Sequence, residues 1–242
     1  MALLDRSTPP PQYPVTEIAL TAPRCHVLRN GIPFFIINNS SLDLIHLIVE
    51  LNFGTLHETR KHTLSFAYLL LKESSPKHDA AEMDGLLDFY GTTCSVSTTL
   101  ESVKVKITVP KKNLADILPS IYEFLATPHY REESLSIFKS RKVKDLEYNS
   151  KKTNVRCSQL ALHALFGDER APGQFSTKEN LMAVTIPEME QVHRATFCAE
   201  NIRIYATGNF DPALEDCIDL LFGQVPHGQP AARGRLSLLL RR

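Results

Sequence analysis

The chain has 242 residues, 43% hydrophobic and 22% charged, a composition that suits one large globular domain with a substantial core. Lys+Arg and Asp+Glu balance at 27 each, which argues against nucleic acid or an anionic membrane as the main partner. No apolar run approaches the roughly 18 residues that a spanning helix needs. The five cysteines, Cys25, Cys94, Cys157, Cys198 and Cys217, are odd in number and far apart. They point to free thiols rather than a disulfide framework or a CxxC knuckle. With no basic-then-apolar leader at the start, a soluble cytoplasmic protein is expected.

Residues 1–23 carry Pro9, Pro10, Pro11, Pro14 and Pro23 and read as an extended arm. Cys25–Leu28 and Pro33–Asn38 flank Asn30-Gly31, a strong hairpin signal. Ile45–Asn52 reads as a buried strand. Thr63–Lys72 is apolar on all sides, which predicts a buried helix. Thr92–Leu100 pairs across Glu101 with Ser102–Val109, where Val103, Val105, Ile107 and Val109 alternate with Lys104, Lys106 and Thr108. That alternation predicts a sheet with one wet face.

Leu114, Ile117, Leu118, Ile121, Tyr122 and Leu125 follow helical spacing, ended by Pro128. Further helices are expected over about Glu132–Lys152, Val155–Phe166 and Pro187–Phe197. The basic residues between Lys139 and Lys152 read as a solvated helix face. A strand at Ile202–Thr207 and a helix from Pro212 to Phe222 close the domain. The order β-β-β-α-α-β-β-α-α-α-α-β-α predicts an α+β fold, a largely antiparallel sheet of five or six strands with helices packed on it. The boundaries expected are an arm over 1–23, one domain over 24–225, and a linker or tail over 226–242 that ends in the apolar run Leu236–Leu240.

No phosphate loop or G-x-S-x-G elbow is present. Among the nine histidines, only His57 and His62 approach a helical zinc pair. They are five residues apart, about 140° round a helix, so they cannot share an ion on a regular one. Both read as solvated loop histidines, and His163 as a packed or capped one.

Several segments in order are similar to the insulinase/pitrilysin peptidases. Leu28-Arg29-Asn30-Gly31-Ile32-Pro33 resembles that family's entry hairpin, and Leu47–Gly54 the strand before its active-site helix. Glu58 resembles the acidic residue that follows this strand. Thr177-Lys178-Glu179-Asn180-Leu181 and Asn201–Pro212 resemble two downstream segments, so the likeness covers roughly residues 24–225.

Active members carry H-x-x-E-H, with two zinc histidines and a glutamate base, and a second glutamate further on as third ligand. The resemblance lays Ser65 and Leu69 on the histidine positions, Tyr68 on the base and Glu147 on the third ligand, with Ser140 where a supporting glutamate is common. Leu69 cannot coordinate a metal, Ser65 is a poor ligand, Tyr68 is a poor base, and Glu147 alone cannot hold zinc. The resemblance therefore implies no cofactor and no catalysis. It implies a non-catalytic subunit or domain that closes a peptide-binding chamber with an active zinc-bearing homologue, or self-associates, and holds an extended peptide at a sheet edge. Such a complex would be the zinc metalloendopeptidase. Two other readings stay open: a zinc peptidase with an atypical ligand set from His62, His163 and Glu147, and a purely structural scaffold.

Overall fold

A computed structural model describes residues 13–14, 20–39, 41, 43–73 and 75–230. The chain begins with a hairpin, β1 (Arg24–Val27) and β2 (Pro33–Asn38), turned at Asn30-Gly31, where Gly31 takes φ 86°. The Asn30 side-chain amide donates to the carbonyls of Phe222 and Val225, both at 2.9 Å. The turn therefore also fixes the end of the last helix, almost 200 residues on.

Strand β3 (Leu44–Leu51) follows, then α1 (Thr63–Leu69) and α2 (Ala80–Phe89). The hairpin β4 (Thr93–Thr98) and β5 (Val103–Pro110) leads to α3 (Leu114–Ala126), α4 (Glu132–Asn149) and α5 (Thr153–Phe166). Then come α6 (Lys178–Met182), α7 (Ile186–Thr196), β6 (Ile202–Gly208) and α8 (Pro212–Phe222). One sheet runs β1-β2-β6-β3-β5-β4, antiparallel except for the β2–β6 pair. The α+β layout and the strand count match the expectation. Among the described residues the short α6 is the one α-helix beyond it, set by a reciprocal cap between Thr177 and Asn180.

Alternation puts Phe34 and Ile36, Ile45 to Leu51, Val103 to Val109, and Ile202 to Ala206 on one face, every second residue buried. Phe66, Tyr68, Ile121, Phe124, Met189 and Phe222 from the helices cover that face and complete the core. The opposite face departs from the expected wet surface. Lys104 and Lys106 stand on β5, with Lys104 paired to Glu50 at 3.1 Å. On the central strands, however, Phe35 stacks on Tyr205, ring centroids 5.3 Å apart, beside Ile37 and Ile48. These residues form an almost wholly apolar groove of about 420 Å³, with Pro23 at one side. Strands apolar on both faces are the mark of a sheet meant to be covered twice.

Residues 226–230, assigned to the tail from sequence, are held against the domain. The Ala199 N–H donates to Pro226 O at 3.0 Å, and the Gly228 N–H to Glu200 Oε2 at 2.8 Å. Most of the arm, and the Leu236–Leu240 run, lie outside the described residues.

Candidate functional site

The four positions singled out from sequence sit on α1 and α4. Ser65 and Leu69 are half-buried and line a cavity of about 300 Å³ between α1, α4, α5 and the end of β4 at Thr98. Tyr68 points elsewhere. It is fully buried between α1 and α7, where its hydroxyl donates to Thr196 Oγ1 at 2.6 Å and Thr196 in turn donates to Val192 O at 2.8 Å. Burial drives the phenol pKa up. His193 packs beside it, 5.7 Å between ring centroids, and donates from Nε2 to Leu125 O at 2.8 Å, tying α7 to α3. Burial pushes the His193 pKa down to about 4, so the ring is neutral. This is a buried structural network, and neither Tyr68 nor His193 lines the α1–α4 cavity.

The α4 register requires a correction. Glu147 is exposed and lies outside the cavity wall; Lys142, Asp145, Leu146 and Asn149 face it instead. Their spacing of three and four residues marks one helical face, and Glu147 falls off it. Ser65, Leu69 and Leu146 do not make a zinc site, since two cannot coordinate and one is a poor ligand. Nor are His62, His163 and Glu147 brought together: no cluster of three His, Cys, Asp or Glu side chains suited to a metal exists among the described residues. His163 bonds Gly173 O at 3.0 Å and lies 4.9 Å from the Phe175 ring.

Two residues carry more than their sequence context suggested. Glu58 is a half-buried cap for α1. Its carboxylate accepts N–H bonds from Leu64 at 2.9 Å and from Ser65 and His62 at 3.3 Å, satisfying donors that the helix start leaves open. Desolvation outweighs these bonds and raises its pKa to about 7. His62 is no solvated loop histidine: its Nε2 is buried on the wall of the α1–α4 cavity. Sequence reasoning used Glu58 only as a mark of family likeness and read His62 as a solvated loop residue, because the segment His57–His62 is locally polar.

Glu58 yields an expected pH dependence. An ordinary glutamate releases its proton near 4.5 and the folded one near 7, so the folded state holds the extra proton between those values. Its contribution is complete below about pH 4.5 and is lost as pH rises through 7, on the order of 2 kcal/mol allowing for partial exposure. Urea midpoints from pH 5 to 8 should show this decline in wild type and lose it in Glu58→Gln. Parallel curves would remove Glu58 as the cause.

No family model matches the sequence, and no curated protein matches it. Solved structures do. A peptidase M16 inactive domain from Pseudomonas fluorescens superposes with TM-score 0.79 at 14% identity, over 88% of this chain and 53% of that one. A protease from Helicobacter pylori gives 0.74 at 14% identity, over 88% and 52%. The periplasmic protease PqqL from Escherichia coli gives 0.76 at 13% identity, over 91% and 26%. The chain thus spans about half the length of the first two and a quarter of the third. At this identity the likeness speaks for the architecture: the chain has the fold of an M16 peptidase domain, the one implied by its resemblance to the insulinase/pitrilysin peptidases.

Proposed function

We propose that this chain is a non-catalytic peptidase homologue, which closes a peptide-binding chamber together with an active, zinc-bearing homologue. One observation carries the reading: in a peptidase fold, the helix that would bear the ligands offers Ser65 and Leu69 to its cavity, Tyr68 to the core, and faces Leu146. That donor set cannot fix a metal or activate water, so what the fold retains is binding. The open edge of β4 is the natural seat for an extended peptide. It ends the sheet, and its Thr98 reaches the same cavity. The half-length match to the first two structures leaves room for a partner or a further domain to form the other wall. No helix among the described residues is long and apolar enough to cross a membrane. The five unpaired cysteines favour a reducing compartment.

The test is metal content after incubation with zinc and desalting, with peptidase activity measured on an unfolded peptide alongside. The expected result is no retained zinc and no cleavage by the chain alone, with measurable peptide binding. Near-stoichiometric zinc would sink the proposal. So would the absence of peptide binding both alone and with an active homologue.

A further inference from the structure

The apolar groove on the outer sheet face lies over strands whose backbones are already paired. β2, β6 and β3 each have a strand on both sides, so an occupant gains no strand pairing there. The lining is Phe35 stacked on Tyr205, with Ile37, Ile48 and Pro23, and it offers almost nothing polar. An ordinary peptide laid in it would bury backbone N–H groups without acceptors, each at a cost. What suits the groove is a segment that is apolar, extended and short of N–H groups.

The chain carries one. Pro9, Pro10 and Pro11 are its one run of consecutive prolines, and proline has no N–H. Such a run favours the polyproline II helix before binding, which keeps the ordering cost small, and aromatic-lined grooves are a recurring seat for it. The arm also leaves the domain at the right place, because Pro23, the residue before β1, is itself on the groove wall. The path from Pro23 back to Pro11 can extend to roughly 40 Å, more than enough to fold back over three strands.

Charge argues against the other end of the chain. Besides Glu50, the outer face carries Lys104, Lys106 and Arg203. Residues 231–242, which hold the apolar run Leu236–Leu240, contain four arginines and no acid. Residues 1–22 set Asp5 and Glu17 against Arg6.

We infer that Pro9, Pro10 and Pro11 of the chain's own arm dock in this groove as one turn of polyproline II helix. One turn rises about 9 Å, close to the two strand spacings of about 4.8 Å that separate β2 from β3. Phe35, Tyr205 and Ile48 stand opposite one another in a row across those strands, and the prolines lie along it. The next row, Ile37, Thr207 and His46, stays open. This assignment is independent of the peptidase reading.

NMR of the full chain tests it. Replacing the run (Pro9→Ser, Pro10→Ser, Pro11→Ser) should shift the ring resonances of Phe35 and Tyr205 and leave those of the buried Phe66 and Phe124 unmoved. A synthetic peptide of residues 7–14 should bring the shifts back in that variant. It should bind wild type about tenfold more weakly or worse, because the tethered run already fills the groove. Adding Phe35→Ser to the proline variant should weaken peptide binding by about tenfold or more. Ile48→Thr, which keeps a β-branched strand residue, is the second groove variant and should weaken it severalfold.

Identical ring resonances in wild type and the proline variant would overturn the inference, as would failure of the peptide to restore them. Unchanged peptide affinity in a folded groove variant would place the prolines elsewhere. Shifts that depend on protein concentration would give the groove to the arm of a second copy. Shifts reproduced by serine at Leu236, Leu238 and Leu239 would give it to the tail. Either result would overturn docking of the chain's own arm.

Discussion

Alanine at Gly208 is expected to destabilise the domain by about 4 kcal/mol or more, enough to leave little folded protein at 37 °C. Gly208 ends β6 with φ at 134°, flanked by Asn38 of β2 and Ile45 of β3. A β-carbon there would sit 2.2 Å from Leu44 O, an atom of the neighbouring strand that cannot swing aside. Accommodating it means moving β3, the strand that pairs with both β5 and β6. Gly31→Ala is the matched control, since Gly31 also has positive φ but would meet nothing within 4 Å. It should cost only about 1–2 kcal/mol, the backbone share alone. Urea unfolding of the two variants measures the difference. Equal losses would mean that close approach of β3 is not what requires glycine at 208.

Truncating Tyr68 to alanine is expected to cost about 3–5 kcal/mol, the range for a large fully buried aromatic. The ring fills the space between α1 and α7, and its removal also withdraws the donor to Thr196. Tyr68→Phe should cost only about 1 kcal/mol, because Thr196 keeps its bond to Val192. Tyr68→Glu, which puts a glutamate where the family resemblance would lay the base, should be the worst of the three, placing an unpaired carboxylate at a fully buried position. Thermal melts rank the variants. A stable Tyr68→Glu protein would show that this helix can turn its face toward the cavity, and would weaken the non-catalytic reading with it.

Where local pattern and burial agree, the sequence was legible. The Asn30-Gly31 turn, the Val103-to-Val109 alternation and the Leu114-to-Leu125 periodicity each fall in the element expected of them. The second helix was counted but not located. Its position was visible in the Asp79 and Glu82 capping pair, although the apolar pattern of Ala80–Phe89 is weak. The site was less legible for a different reason. Which side of α4 meets α1 depends on how two helices pack, and no spacing within either one fixes that register to a single residue. Leu146 and Glu147 are neighbours in the chain but stand on different faces. Likewise, nothing near Glu58 or His62 signals burial, because the residues that enclose them come from α4, α7 and the β4 end.

The apolar groove over Phe35, Ile37, Ile48 and Tyr205 bears on how the protein behaves in bulk solution. Positive and negative residues are equal in number and the pI is near 7.1, so at neutral pH molecules lack the mutual repulsion that keeps concentrated solutions dispersed. An oily stripe on an uncharged particle makes collisions adhesive. Clarity of a concentrated stock is then poorest close to neutrality and improves on moving the buffer to either side, a colloidal signature of a sheet face that stays largely uncovered among the described residues.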